Sequence, residues 1–280
     1  MEFLIIITLI IFVIVFIYLN ENILKTTHYI VKSKKISLKM DGYKIVQLSD
    51  LHKKVFGKNN KRLIKKVDKI KPDIVVMTGD MVYKHSNNYN NLLNLAKELS
   101  SRYKIYYILG NHELRQNYND LKRLKSKLEE IGVILLSDTY IDLDESVRLY
   151  GLDFKFNMEP KNISNILNKK YERIVKRAIG VVDENRFNIL LTHDPLNYLL
   201  YDKLKYDLVF SGHVHGGVIR LFGVGIFSPR RKLFPKYSAG LYNGENGKLI
   251  VSRGLGGSSL KIRLFNLPQI ICVTLKKDND

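Results

Sequence analysis

His213 and His215 stand two residues apart in Ser211-Gly-His-Val-His-Gly-Gly217, directly after the apolar run Asp207–Phe210. An apolar run bounded by glycine reads as a buried strand, so the loop after it would carry two imidazoles at its exposed end. The same placement recurs along the chain. Asp50 and His52 follow Tyr43–Leu48, Asp80 follows Ile74–Thr78, Asn111 and His112 follow Lys104–Leu109, and His193 follows Phe187–Thr192. In α/β sheets ligands bind outside the carboxyl ends of strands. Five of the seven histidines fall in this set, and only His28 and His85 do not. Carboxylate, imidazole and one amide oxygen, with no thiolate, suit Mn2+, Fe2+ or Zn2+. Asp50, His52, Asp80, Asn111, His193, His213 and His215 exceed what one tetrahedral ion takes. Two divalent ions sharing a carboxylate use them all. Such a pair, about 3.5–4 Å apart, acidifies a bridging water and clamps phosphate oxygens during in-line displacement. The chemistry this predicts is hydrolysis of a phosphate ester.

The elements that must position these residues follow from periodicity. Leu63, Ile64, Val67 and Ile70 give a helical stripe that Lys71-Pro72 stops, and Leu92, Leu93, Ala96 and Leu99 give another. A third runs through Leu121, Leu124, Leu128 and Ile131, before a short strand Val133–Leu136. More β structure is expected at Ile141–Leu143 and Val147–Leu152, then a helix with Ile163, Ile166, Leu167, Tyr171, Ile174 and Val175 inward. The last sixty or so residues, with Leu249–Val251 and Ile270–Leu275, predict a further set of mostly antiparallel strands. Strands that first alternate with helices and then dominate predict an α/β sandwich of two sheets with helices outside. The single cysteine, Cys272, allows no intrachain disulfide and reads as core filler.

Five ordered motifs carry a resemblance to a known family. DLH (50–52), GDMVY (79–83), GNHE (110–113), His193 in LTHDP and GHVH (212–215) resemble the pattern of the calcineurin-like metallophosphoesterases. The resemblance covers roughly residues 43–275 and implies the two-sheet sandwich of that family. It implies that Asp50, His52 and His215 hold one metal. Asn111, His193 and His213 would hold the other, with Asp80 shared. His112 would be the non-ligand residue that approaches the substrate and protonates the leaving oxygen. One position departs: Tyr83 stands where the family has the aspartate that orients the histidine at the His112 position. VSRGLG (251–256) and RLFNLP (263–268) resemble the membrane-anchored bacterial branch, which includes phosphodiesterases and UDP-diacylglucosamine pyrophosphohydrolases. Within it Arg253 is a candidate for a substrate phosphate, with a salt bridge at a sheet edge as the structural alternative.

Phe3–Leu19 is apolar apart from Thr8 and Tyr18, at the short end of the roughly 17–25 residues that span a bilayer. No basic residue precedes it and no small-x-small site follows, so an uncleaved single-pass anchor is expected over a signal peptide. Lys25, Lys32, Lys34, Lys35 and Lys39 follow the span, which places the soluble part on the cytoplasmic face. The organisation expected is an anchor at 1–20 and a basic connection with an edge strand at 21–42. The catalytic domain follows at 43–275 and a charged tail at 276–280.

The net charge of +19 favours polyanionic partners in general and selects none. The basic-aromatic stretch Pro229–Tyr237 reads either as an exposed loop or as a contact to lipid headgroups or nucleic acid. The reading that gathers these features is a membrane-anchored dimetal phosphoesterase. It would act on phosphodiester or pyrophosphate bonds, of a lipid-linked or nucleotide-sugar substrate. A nuclease of the same superfamily is the alternative enzyme. The anchor and the absence of an added nucleic-acid module count against it. A silent metal-binding scaffold is the alternative from another class. No feature sets an oligomeric state.

Overall fold

The computed structural model describes residues 1–153, 165–227, 233–257 and 263–279. Helix α1 (Glu2–Asn22) leads into strand β1 (Lys25–Ser33). Strands and helices then alternate: β2 (Lys44–Leu48), α2 (Lys61–Ile70), β3 (Ile74–Thr78), α3 (Asn90–Ser100), β4 (Lys104–Ile108), α4 (Asn111–Leu114), α5 (Tyr118–Glu130) and β5 (Val133–Leu135). The second half runs β6 (Thr139–Asp142), β7 (Val147–Leu152), α6 (Asn165–Ile179), β8 (Phe187–Thr192), α7 (Tyr198–Lys203) and β9 (Leu208–Ser211). Five strands close the chain: β10 (Arg220–Leu221), β11 (Val224–Gly225), β12 (Gly240–Asn243), β13 (Lys248–Val251) and β14 (Gln269–Lys277).

Two six-stranded sheets form, in the orders β1-β14-β2-β3-β4-β5 and β12-β13-β9-β8-β7-β6. Their inner faces meet in one core: Ile45, Val76, Ile108 and Ile271 pack with Leu149, Ile189, Leu191 and Phe210. Strand alternation sends Val46, Val75, Met77 and Ile105 to the other face, where α2, α3 and α5 cover them with Leu63, Leu95 and Leu124. Tyr150, Leu190 and Val209 do the same on the second sheet, under Val175 and Ile179 of α6 and Tyr198 and Tyr201 around α7. Strands covered on both faces read as continuous apolar runs, which is why β3 and β8 are buried at every residue. Cys272 is core filler, as expected.

The carboxyl-terminal strands pair mostly antiparallel, as expected, but they do not form one set. β10–β11 and β12–β13 are antiparallel, but β13 pairs parallel with β9. β14 leaves for the first sheet, between β1 (parallel) and β2 (antiparallel). The reason is burial. Ile270 and Cys272 face the helix-covered side and Ile271 and Val273 the inter-sheet core, so only an interior position satisfies both faces. Lys276 and Lys277, assigned to the tail by pattern, belong to this strand and bond Asp41 through Lys276 Nζ (3.0 Å) and the Lys277 backbone N–H (2.9 Å). Ile163 and the stretch 229–232 lie outside the described residues.

Candidate metal centre

Three of the strands that end at the site, β2, β3 and β9, do so in left-handed residues. Asp50 (φ 53°), His52 (51°), Asp80 (53°), His213 (71°) and His215 (52°) are all left-handed. That conformation costs roughly 1–2 kcal/mol per L-residue and clusters at functional sites. Gly79 (φ +84°) permits close approach as well: a Cβ there would lie 2.6 Å from Gly110 Cα and 2.9 Å from His193 Nδ1. The β3 and β4 turns and His193 can therefore touch only with glycine between them.

These turns bring seven predicted ligand residues to one place. Asp50 Oδ1 lies 3.4 Å from His215 Nε2 and 4.0 Å from His193 Nε2, and Asp80 Oδ2 lies 3.2 Å from His193 Nε2. Asp50, His52 and His215 form one group of converging donors, and Asp80, His193 and His213 another. Asn111 sits one residue past Gly110 with its Oδ1 buried and without a hydrogen-bond partner. Fixed orientation accompanies the convergence. His52, His193 and His215 direct Nδ1 to the carbonyls of Val82 (3.3 Å), Thr78 (2.7 Å) and Gly256 (3.3 Å). An Nδ1–H donated to a carbonyl leaves Nε2 as the lone-pair nitrogen aimed at the cluster, as in metal-ligating histidines. His52 Nε2 and His215 Nε2 then face each other at 3.2 Å, and two lone pairs so placed repel unless a cation lies between. Two donors each 2.0–2.1 Å from one tetrahedral ion are about 3.3 Å apart. The residues fit a divalent ion.

The electrostatics agree. Burial pushes the Asp50 carboxyl up, against the pull of the neighbouring histidines. Burial acts the same way on Asp80, but His193 outweighs it and holds that carboxyl far below the usual range. Conversely, burial disfavours the His193 cation, yet Asp80 and Asp50 raise it to about 10. Burial drives His215 well down, helped by His52. In the metal-free protein His193 therefore carries the proton that a cation would replace.

His112 has a different environment. Its ring lies 4.5 Å from that of His52 and 5.2 Å from Tyr83, and its Nε2 is 3.8 Å from Asp80 Oδ2. Its Nδ1 accepts the backbone N–H of Lys84 at 2.9 Å. That bond supplies the orientation that the Tyr83 departure removes. It also fixes the neutral tautomer with the proton on Nε2, toward the cluster. Burial lowers this histidine to about 4, the Asp80 charge opposing. Arg253 packs its stem on Gly216, next to His215, and its charged or ionisable neighbours are Tyr29, Arg220 and Arg263.

Several residues that position the site escaped the pattern. Glu113, fully buried, accepts the N–H groups of Asp80 (2.8 Å), Gly110 (2.9 Å) and Val82 (3.1 Å) and the Tyr107 hydroxyl (2.8 Å). It ties the β3 turn to the β4 turn. The signal was there: Glu113 is the third helical residue after Gly110, a position that reaches back to cap. Asn266 Nδ2 donates to the His215 carbonyl at 2.7 Å, and Arg263 Nε donates to the Asn266 carbonyl at 2.7 Å. Both lie in RLFNLP (263–268), whose resemblance to the anchored branch marks the stretch without giving either residue a role.

A family model, calcineurin-like phosphoesterase, matches residues 43–217. The chain belongs to this family. It is a metal-dependent phosphoesterase, a hydrolase, and its His/Asp clusters supply a site suited to two metals. Among relatives, it is 33% identical to the metallophosphoesterase Cj0846 of Campylobacter jejuni, over 91% of this chain and 65% of that protein. It therefore spans about two thirds of the length of that relative. It is 30% identical to the metallophosphoesterase YkuE of Bacillus subtilis, over 94% of this chain and 89% of that protein. It is 26% identical to the UDP-2,3-diacylglucosamine pyrophosphatase LpxG of Chlamydia muridarum, over 90% and 89%. In this calcineurin-like phosphoesterase α1 is long and apolar enough to cross a membrane, whether as anchor or as signal sequence.

Proposed function

We propose that this phosphoesterase is anchored to a membrane by α1 and hydrolyses a phosphodiester or pyrophosphate bond in a lipid- or nucleotide-linked substrate. Asp50, His52 and His215 would hold one divalent ion, and Asn111, His193 and His213 the other. Asp80 would contribute to both. When bound, the ion pair supplies an acidified water as nucleophile and neutralises charge on the phosphate oxygens. The protein's own groups do the rest. His112, neutral and fixed by Lys84, presents its Nε2–H to a phosphoryl or leaving oxygen. Glu113 keeps the Asp80 and Gly110 amides from turning inward. A cleft of about 340 Å³, lined by His52, Lys53, Tyr83, Ser86 and Asn88 among others, opens beside the cluster and offers room for the group attached to the phosphate. The lysine-rich segment after α1 favours a cytoplasmic active site.

The observation that carries the reading is the pair of imidazole nitrogens aimed at one another, His52 Nε2 and His215 Nε2 at 3.2 Å, together with the buried, unpartnered Asn111 Oδ1. A polar atom left so costs about 1–3 kcal/mol, a cost that a bound cation removes. The Chlamydia relative's name, a pyrophosphatase of a diacylated nucleotide sugar, supports the substrate class. The test is hydrolysis of bis-p-nitrophenyl phosphate with added Mn2+, lost in Asp80→Ala. A lipid-linked pyrophosphate and single-stranded DNA then separate this reading from a nuclease, and no turnover at all would leave only a metal-binding scaffold.

A further inference from the structure

Three phenylalanines near the metal loops contradict the usual logic of a fold. Phe222, Phe234 and Phe265 are 104%, 64% and 57% exposed. Each also has a left-handed backbone, with φ of 48°, 47° and 52°. For a bulky residue positive φ is a genuine outlier. Phe222 and Gly223 (φ +83°) form the two-residue turn joining β10 and β11, where both residues need positive φ and Asn or Asp normally precedes Gly. The strain therefore serves no burial: these rings are held out in water, at a cost on both counts.

The three are one surface. Arg220 N donates to the Leu264 carbonyl (3.0 Å), joining the hairpin to the Phe265 segment. Phe234 N donates to the Ile226 carbonyl (3.0 Å), joining the third loop to the same hairpin. Leu221, Val224 and Leu233 between them are exposed as well, at 44%, 52% and 60%. What covers the patch is indicated by α1. Phe16 packs edge-on against Phe265, ring centroids 5.1 Å apart. Phe16 lies three residues inside the apolar run that ends at Leu19, about 4.5 Å along the helix axis. Phe265 thus stands level with the membrane-crossing part of α1, not with its polar end. The helix cannot swing away freely, because Arg62 Nη2 donates to the Asn22 carbonyl (2.9 Å) and Lys66 to the Leu24 carbonyl.

We infer that Phe222, Phe234 and Phe265 insert into the bilayer that α1 crosses, seating the metal centre at the headgroup plane for a substrate drawn from that leaflet. The inference rests on the anchor reading above. The link to the site is short: Asn266, next to Phe265, bonds the carbonyls of His215 (2.7 Å) and Val218 (3.3 Å). Aromatic and aliphatic side chains on a basic body, here with net charge +19, suit an anionic interface.

The chain contains no tryptophan, so single Phe222→Trp and Phe265→Trp variants each carry one reporter. The full chain is reconstituted in vesicles of phosphatidylcholine and phosphatidylglycerol, with or without lipid brominated on the upper acyl carbons. Both variants are expected to emit blue-shifted fluorescence that brominated lipid quenches strongly. Val181→Trp, exposed near the opposite end of β8 from His193, is expected to stay unquenched. Water-like, unquenched emission from both phenylalanine positions overturns the inference. So does a blue shift without lipid quenching in a particle of twice the mass, which assigns the patch to a second copy. Turnover of bis-p-nitrophenyl phosphate by the same preparations tests the phosphoesterase reading separately, since the fluorescence needs no catalysis.

Discussion

The metal-facing turns and the phenylalanine-tipped loops use the same backbone trick for opposite ends. Asp50, Asp80 and His215 take left-handed φ to bury polar groups against one another. Phe222, Phe234 and Phe265 take it to hold apolar rings in solvent. In both places local preference and burial disagree, and a fold selected for stability alone would keep neither. The lesson is that conflict, more than composition, marks where this molecule meets something else.

The comparison breaks most visibly at the polar end. Asp80→Ala is expected to cost more activity than the roughly 10–100-fold that follows loss of an outer-sphere partner, measured as Mn2+-dependent turnover. His112→Gln should lower kcat about 10²–10³-fold, the range for removing one donor to a developing charge, with metal content by elemental analysis unchanged. Glu113→Gln should weaken metal binding about 10–100-fold, read by titration calorimetry, because the backbone N–H groups of Asp80, Gly110 and Val82 lose a charged acceptor.

Protonation sharpens the contrast further. His193, raised to about 10 in the metal-free protein, contributes stability that is fully present below its ordinary value near 6.5. That contribution is lost as pH rises toward 10. A metal ligand must be deprotonated, so metal affinity should rise over the same window. Calorimetry at pH 8 in buffers of different ionisation enthalpy should detect about one proton released from this residue. A pH-independent affinity there would falsify the assignment of His193 as a ligand. The smallest effects come as a matched pair. His213→Gly and Phe222→Gly each relieve a left-handed residue, and each should raise metal-free stability by about 1 kcal/mol in denaturant melts. Only the first should abolish turnover of a soluble substrate, and only the second should weaken quenching of a Phe265→Trp reporter by brominated lipid.

Much of the fold was legible because burial writes itself into short apolar runs. β2, β3, β4, β8 and β9 each end where the pattern placed a carboxylate or an imidazole. Partner choice was not legible. Whether β13 lies parallel to β9, or β14 crosses to the other sheet, depends on residues far away in sequence. At the site, residue types able to ligate were readable from spacing, whereas the positive φ of Asp50 and His215 was not. Glu113 could be read as a cap but not as the clasp between two turns. The Lys84 amide that orients His112 has no side-chain signature at all.

The position of β14 bears on how the molecule is made. Among the described residues, β1 (Lys25–Ser33) has β14 (Gln269–Lys277) as its one neighbour in the sheet. β1 therefore finds its mate only after β14, 244 residues further on in the Lys25–Gln269 pair, has been made. Until that moment the edge of β2 that β14 covers is bare, so this sheet is completed only after all its other strands have been made.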